Sequence, residues 1–147
     1  MAETISVLLV DDHAVVRQGV RAFLVTQPDI SVVGEAGSGE EAVRLADQLV
    51  PDVILMDLIM PGMDGVEATR RVKQVSPRSQ IVVLTSYHED EHIFPALKAG
   101  ALSYVLKDVS AEGLASAGAR LRMAMRCSTR VWPRVSSRSC RASGQTP

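Results

Sequence analysis

Cysteine is almost missing from this 147-residue chain: only Cys127 and Cys140 occur, both near the carboxyl end. Their spacing fits no metal motif, and a lone disulfide is not expected in a reducing compartment, so both read as incidental thiols. Long apolar runs are missing too, since none approaches the ~18 residues of a membrane span. The opening MAETISVLLVDD has no basic region, and its apolar stretch stops at two aspartates, which argues against a secretory signal. A protein without membrane association, placed in the cytoplasm, is therefore expected. No internal repeat and no Gly/Ser linker divides the chain into two folded parts.

What is present suits one soluble globular domain. The length is enough for a single buried core, and 46% of the residues are hydrophobic with charges mixed among them. The net charge of −1 hides an asymmetry: residues 1–107 carry 9 Lys/Arg against 15 Asp/Glu, and residues 108–147 carry 7 against 2. An acidic body suits a cation site and argues against that body gripping nucleic acid.

Two kinds of segment alternate. Short Val/Ile/Leu-rich runs without polar alternation occur at Ile5–Val10, Ile30–Gly34, Val53–Met56, Ile81–Leu84 and Leu102–Leu106, as expected for strands buried on both faces. Helical spacing fills the gaps at Ala14–Leu24, Ser38–Leu49, Asp64–Val75, Glu89–Ala99 and Ser110–Ala119. Pro51 and Pro77 end the helices before the third and fourth strands. Five strands alternating with five helices predict an α/β, doubly wound parallel sheet, because parallel neighbours need helical crossovers.

Ligands of such a sheet bind beyond the carboxyl ends of its strands. There the sequence places Asp11-Asp12-His13 after the first strand, Asp57 after the third, Thr85-Ser86 after the fourth and Lys107-Asp108 after the fifth. Any one of these polar residues is ordinary for a loop. Carboxylates converging on one rim, however, repel unless a cation or a proton neutralises them. An oxygen-rich set favours Mg²⁺. A metal, a carboxylate, a Lys and a Thr together suggest phosphoryl transfer, with the carboxylate as nucleophile. Pro61 and Gly62 force a loop directly after Asp57 and keep it open to a donor. Imidazole is a poor Mg²⁺ ligand, which sets His13 outside the expected metal set. His88 and His92 are expected on an output face.

At this point the chain resembles the response-regulator receiver family of two-component systems. The resemblance rests on LLVDDH at 8–13, LMDLIMPGMDG at 55–65, VLTSYH at 83–88 and AGALSYVLKD at 99–108, and covers about residues 3–117. It implies a flavodoxin-like fold with strand order 2-1-3-4-5. It further implies Asp57 as phosphoacceptor, Mg²⁺ held by Asp11, Asp12, Asp57 and the backbone carbonyl of Ile59, and Thr85, Lys107 and Tyr104 as the switch residues. The implied donor is a sensor histidine kinase, and the implied output and homodimer surface is formed by the fourth helix, fifth strand and fifth helix. Such a protein is a phosphoacceptor that assists its own phosphorylation and dephosphorylation, not an enzyme acting on other substrates. A phosphatase would need a second acid where Ile59 stands, and a flavin carrier a phosphate loop where Asp11 and Asp12 stand. Ile59 and Tyr87, each two residues past an active residue, are apolar or aromatic, so slow self-dephosphorylation is expected. A cis peptide at Lys107-Asp108 stays open, because the family commonly has Lys-Pro there.

VLLVDDHAVVRQGV and the Ser110-Ala111-Glu112 start of the last helix resemble the LuxR/NarL-type transcription regulators, which add a DNA-binding domain. Residues 118–147 hold no helix-turn-helix pattern, so DNA contact is expected only through a domain absent from this chain. Residues 1–117 read as the receiver and 118–147 as a basic non-family tail. Met and Trp have single codons, and Met123–Cys127 read one base earlier can spell a linker-like Asp-Gly-Asp-Ala-Val. The tail thus reads as a frameshift or truncation product with its break near Gly118. The alternative is a stand-alone receiver whose basic tail binds nucleic acid without sequence preference.

Overall fold

The computed structural model describes residues 4–86, 91–107 and 110–126. Its elements alternate without exception: β1 (Ile5–Val10), α1 (Ala14–Leu24), β2 (Ile30–Ala36), α2 (Gly39–Leu49), β3 (Val53–Asp57), α3 (Gly65–Val75), β4 (Gln80–Thr85), α4 (Ile93–Ala99), β5 (Ser103–Leu106) and α5 (Ala111–Arg126). The strands form one parallel sheet in the order β2-β1-β3-β4-β5, the flavodoxin-like arrangement with helices on both faces. Chain order and spatial order diverge at β1 and β3, which opens a crevice at their carboxyl ends.

Strand pleating explains why the apolar runs show no polar alternation. Leu8, Val10, Ile54, Met56, Ile81 and Val83 face one way and pack with Ala42 and Ala46 of α2, Ala68 and Val72 of α3, and Ile93 and Ala96 of α4. Val7, Leu9, Val53, Leu55, Val82 and Leu84 face the other way, against Val20 and Leu24 of α1 and Ala117, Leu121, Ala124 and Met125 of α5. Every residue of β3 is buried, as suits the central strand. Alanines at the α2 and α3 contacts allow those helices to lie close to the sheet.

Two helices depart from their sequence-based limits. α4 begins at Ile93, whereas helical spacing predicts a start at Glu89, a residue outside the described ones. Pro95 supplies the reason. It has no N–H to give to the carbonyl four residues back, so it fits only the first turn. α5 runs on to Arg126, past the expected end at Ala119, and buries Leu121, Ala124 and Met125. The boundary expected between Ala117 and Gly118 therefore falls inside a helix. Arg122 of that segment clasps the α1–β2 loop, its Nε donating to Asp29 Oδ2 at 2.7 Å and its Nη2 to Gln27 Oε1 at 2.9 Å.

Candidate functional site: an acidic pocket at the carboxyl edge of the sheet

Three strand ends build the pocket. β1 leads into Asp11 and Asp12, β3 ends on Asp57, and β5 leads into Lys107. Asp57 pairs in register with Leu84, so Thr85 stands one step further along β4, where its carbonyl accepts from the Lys107 N–H at 2.8 Å. Thr85 is buried.

Asp57 is 2% exposed. Its Oδ2 accepts from Lys107 Nζ at 2.8 Å, and its Oδ1 from the Ile59 N–H at 3.3 Å. Lys107 Nζ also lies 3.5 Å from Asp11 Oδ1. Burial pushes the Asp57 carboxyl up from 3.8 to about 7; the hydrogen bond from Lys107 opposes the rise and the charge of Asp11 adds to it. One lysine does not neutralise three carboxylates. Asp11 Oδ2 and Asp12 Oδ1 are buried and make no hydrogen bond among the described residues. Buried carboxylate oxygens left in that state are costly, and a hard divalent cation satisfies them. The residues present fit such an ion.

The loop behind Asp57 is fixed by its own backbone. Leu58 N–H donates to the Leu84 carbonyl at 3.3 Å, and Gly65 N–H returns to the Leu58 carbonyl at 2.9 Å. Gly62 takes φ +77°, a left-handed conformation that favours glycine. A Cβ on Gly65 would overlap the Asp57 carbonyl oxygen, so only glycine lets α3 start this close to the strand end. Asp64 then caps α3 by accepting from the Glu67 N–H at 2.9 Å.

A clamp holds the opposite wall. Asp11 N–H donates to the Ala36 carbonyl at 3.0 Å, and the Asp11 carbonyl accepts from Arg17 Nη1 at 2.5 Å. Arg17 Nε donates in turn to Glu35 Oε1 at 3.0 Å, and Arg21 Nε lies 2.8 Å from Glu35 Oε2. The turn carrying the two aspartates is thus gripped by α1 and β2 together.

Of the residues singled out from sequence, Asp11, Asp12, Asp57 and Lys107 meet in this pocket, and Ile59 contributes its amide to it while its side chain is 54% exposed. Tyr104 is set apart. It sits half-buried on β5, in register with Val83, packed against the core beneath α2, α3 and α4. Tyr87, His88 and the Lys107-Asp108 peptide lie outside the described residues. Sequence reasoning left out two residues. His13 turns its ring into the pocket, with Nδ1 3.3 Å from both Asp11 Oδ1 and Asp12 Oδ1. Arg17 lies one helical turn past His13, and the available signal was its position on the first turn of α1, facing back toward Asp11.

Known proteins share this sequence pattern and fold. The sequence pattern described as "Response regulator receiver domain" matches residues 7–118. The chain is 55% identical over 113 residues to the transcriptional regulatory protein LiaR of Bacillus subtilis, covering 77% of this chain and 54% of LiaR. It is 53% identical over 114 residues to the response regulator protein VraR of Staphylococcus aureus, covering 78% of this chain and 54% of VraR. The chain thus spans about half the length of the curated relatives it matches. Among solved structures, a LuxR-family two-component response regulator from Aurantimonas sp. SI85-9A1 superposes with a TM-score of 0.72 at 38% identity, over 82% of this chain and 86% of that one.

Proposed function

The chain belongs to the response regulator receiver domain family, and on that premise we propose that in the cytoplasm Asp57 accepts a phosphoryl group from the phosphohistidine of a sensor kinase. The observation carrying this reading is the buried Asp57 carboxylate held 2.8 Å from Lys107 beside two further carboxylates, each with an oxygen that makes no hydrogen bond among the described residues. An Asp57 oxygen forms the bond to phosphorus as the donor's phosphorus–nitrogen bond breaks, and the imidazole leaves with its electron pair. Asp57 acts as a nucleophile only when ionised, and burial works against that state. Lys107 favours the ionised form and then faces the incoming phosphoryl oxygens.

Asp11, Asp12, Asp57 and the Ile59 carbonyl would hold a Mg²⁺. That ion supplies positive charge against both the carboxylates and the phosphoryl oxygens. The new group adds negative charge and three acceptor oxygens at the rim. Thr85, next to Lys107 at the end of β4, gains a partner there. Tyr104, half-buried behind it, responds by changing its packing. The altered face consists of α4, β5 and α5, where Phe94 is 65% exposed, and that face serves as the output and homodimer surface. In a full-length form carrying a DNA-binding part, as the resemblance to LuxR/NarL-type regulators implies, this switch would control transcription, in keeping with the relative LiaR being a transcriptional regulatory protein.

Acetyl phosphate and Mg²⁺ test the reading directly. Intact-protein mass spectrometry should find one phosphoryl group on the wild type and none on Asp57→Ala. Equal labelling of the two, or no labelling of the wild type with Mg²⁺ present, rejects Asp57 as acceptor.

A further inference from the structure

His13 follows the acidic pair directly, and its side chain is 61% exposed. Its Nδ1 nevertheless points inward, 3.3 Å from Asp11 Oδ1, 3.3 Å from Asp12 Oδ1 and 3.9 Å from Asp57 Oδ2. Two ligands bound to one ion at ~2.1 Å each lie ~3.0 Å apart when adjacent in an octahedron and ~4.2 Å apart when opposite. All three separations fall within that window. Asp11 is 2% exposed and its Oδ2 is unpartnered among the described residues. No capping bond to the α1 backbone sets this ring orientation; the ring is turned by the pocket's own carboxylates, the Asp11 Oδ1 contact lying within hydrogen-bond range.

We propose that the His13 imidazole is a fourth side-chain ligand of the pocket, giving it selective affinity for nitrogen-preferring first-row transition ions such as Ni²⁺ and Zn²⁺. The proposal rests on the reading above that the pocket holds a cation, and it specifies which class the side chains select. Carboxylate oxygens alone suit Mg²⁺, whereas imidazole adds affinity in the Irving–Williams order and adds little for Mg²⁺. His13 lies at the exposed rim, so an ion arriving from solvent meets the imidazole before the buried Asp11 and Asp57. Lys107 Nζ stands 3.3 Å from Nδ1 and is the competing cation; it stays anchored by its 2.8 Å contact with Asp57. An ion held through His13 engages the same carboxylates that Mg²⁺ uses, so the two occupy the pocket in exclusion of one another.

Calorimetric titration of the full chain with NiCl₂ and, separately, MgCl₂ tests this, using wild type, His13→Ala and Asp12→Asn. His13→Ala should weaken Ni²⁺ by about tenfold or more. Its Mg²⁺ affinity should stay within about twofold, because the oxygen set is intact. Asp12→Asn should weaken both ions, and only a large excess of Mg²⁺ should displace Ni²⁺ from the wild type. Ni²⁺ affinity unchanged in His13→Ala overturns the proposal, as does an equal loss for both ions, which would make His13 a positioning residue. Ni²⁺ binding that Asp12→Asn leaves untouched also overturns it, since the ion then sits elsewhere. A wild type that fails to bind Mg²⁺ rejects instead the reading of the pocket as a cation site.

Discussion

The surroundings that would make Asp57 a phosphoacceptor also carry a cost. The Asp57 carboxyl, ordinarily near 3.8, is held at about 7 by burial, with the Asp11 charge in support. Between those two values the folded protein keeps a proton that the unfolded chain releases. Stability therefore falls as pH rises through the window of about 4 to 7 and stays lower above it. Asp57→Asn removes the ionisation and with it the slope. At pH 8, without divalent cations, the variant should be more stable than wild type by on the order of 4 kcal/mol, about three pKa units at about 1.4 kcal/mol each. At pH 4 the difference should largely vanish. Urea unfolding at the two pH values measures it, and a gain equal at both would show that the charge is not its source.

In the proposed phosphoryl cycle, Ile59 bears on the return step. Its amide holds Asp57 Oδ1 and its side chain is 54% exposed beside that residue. An apolar side chain there neither orients nor activates an attacking water. Ile59→Asn offers an amide that does orient one, and the phosphorylated half-life should shorten by several-fold. Decay followed by intact mass after removing the donor gives the half-life; an unchanged value removes Ile59 from any control of lifetime.

Among the elements, the β1–α1 turn is fixed less by its own sequence than by its neighbours. Arg17 and the Ala36 carbonyl hold the two ends of Asp11, and Glu35 holds Arg17. Electrostatics alone predicts that removing a cation near an acidic pocket tightens Mg²⁺ binding. Loss of the clamp predicts the reverse. Arg17→Ala should weaken Mg²⁺ by about three- to tenfold, while Arg21→Ala, which loses the same Glu35 but not Asp11, should change it little. Calorimetry decides, and a tighter Arg17→Ala complex would sink the clamp.

The same contrast between local and distant causes explains what was legible in the sequence. Strands β1, β3 and β4 were readable because burial on both faces makes unbroken Val/Ile/Leu runs, and the rim acids because they end those runs. The Asp57 loop was readable from Pro61 and Gly62. The start of α4 was misjudged because helical spacing outweighed the constraint of Pro95. The later turns of α5 carry Ala, Met and Arg, so their buried stripe of Leu121, Ala124 and Met125 has little contrast with its polar face. Arg17 was not legible because its contact with Asp11 depends on Glu35, which only the fold brings near, and His13 was set outside the metal set because imidazole suits Mg²⁺ poorly, although its ring turns toward Asp57.

At the scale of the whole molecule, the question is where the folding unit ends. A cut after Ala117 follows the extent of the sequence resemblance, but it removes Leu121, Ala124 and Met125 from the core formed with α1 and frees Asp29 from Arg122. Deleting one buried Leu side chain alone costs about 2–5 kcal/mol, comparable to the whole stability of a marginal domain at about 5–15 kcal/mol. Residues 1–126 should therefore fold with an unfolding midpoint close to that of the full chain and accept phosphate from acetyl phosphate. Residues 1–117 should unfold at much lower urea or fail to fold. Leu121→Ala in the full chain separates lost packing from lost length, and should itself cost about 2–4 kcal/mol. Equal midpoints for the two truncations would show that the turns beyond Gly118 cover the core without stabilising it, and would return the boundary to Ala117.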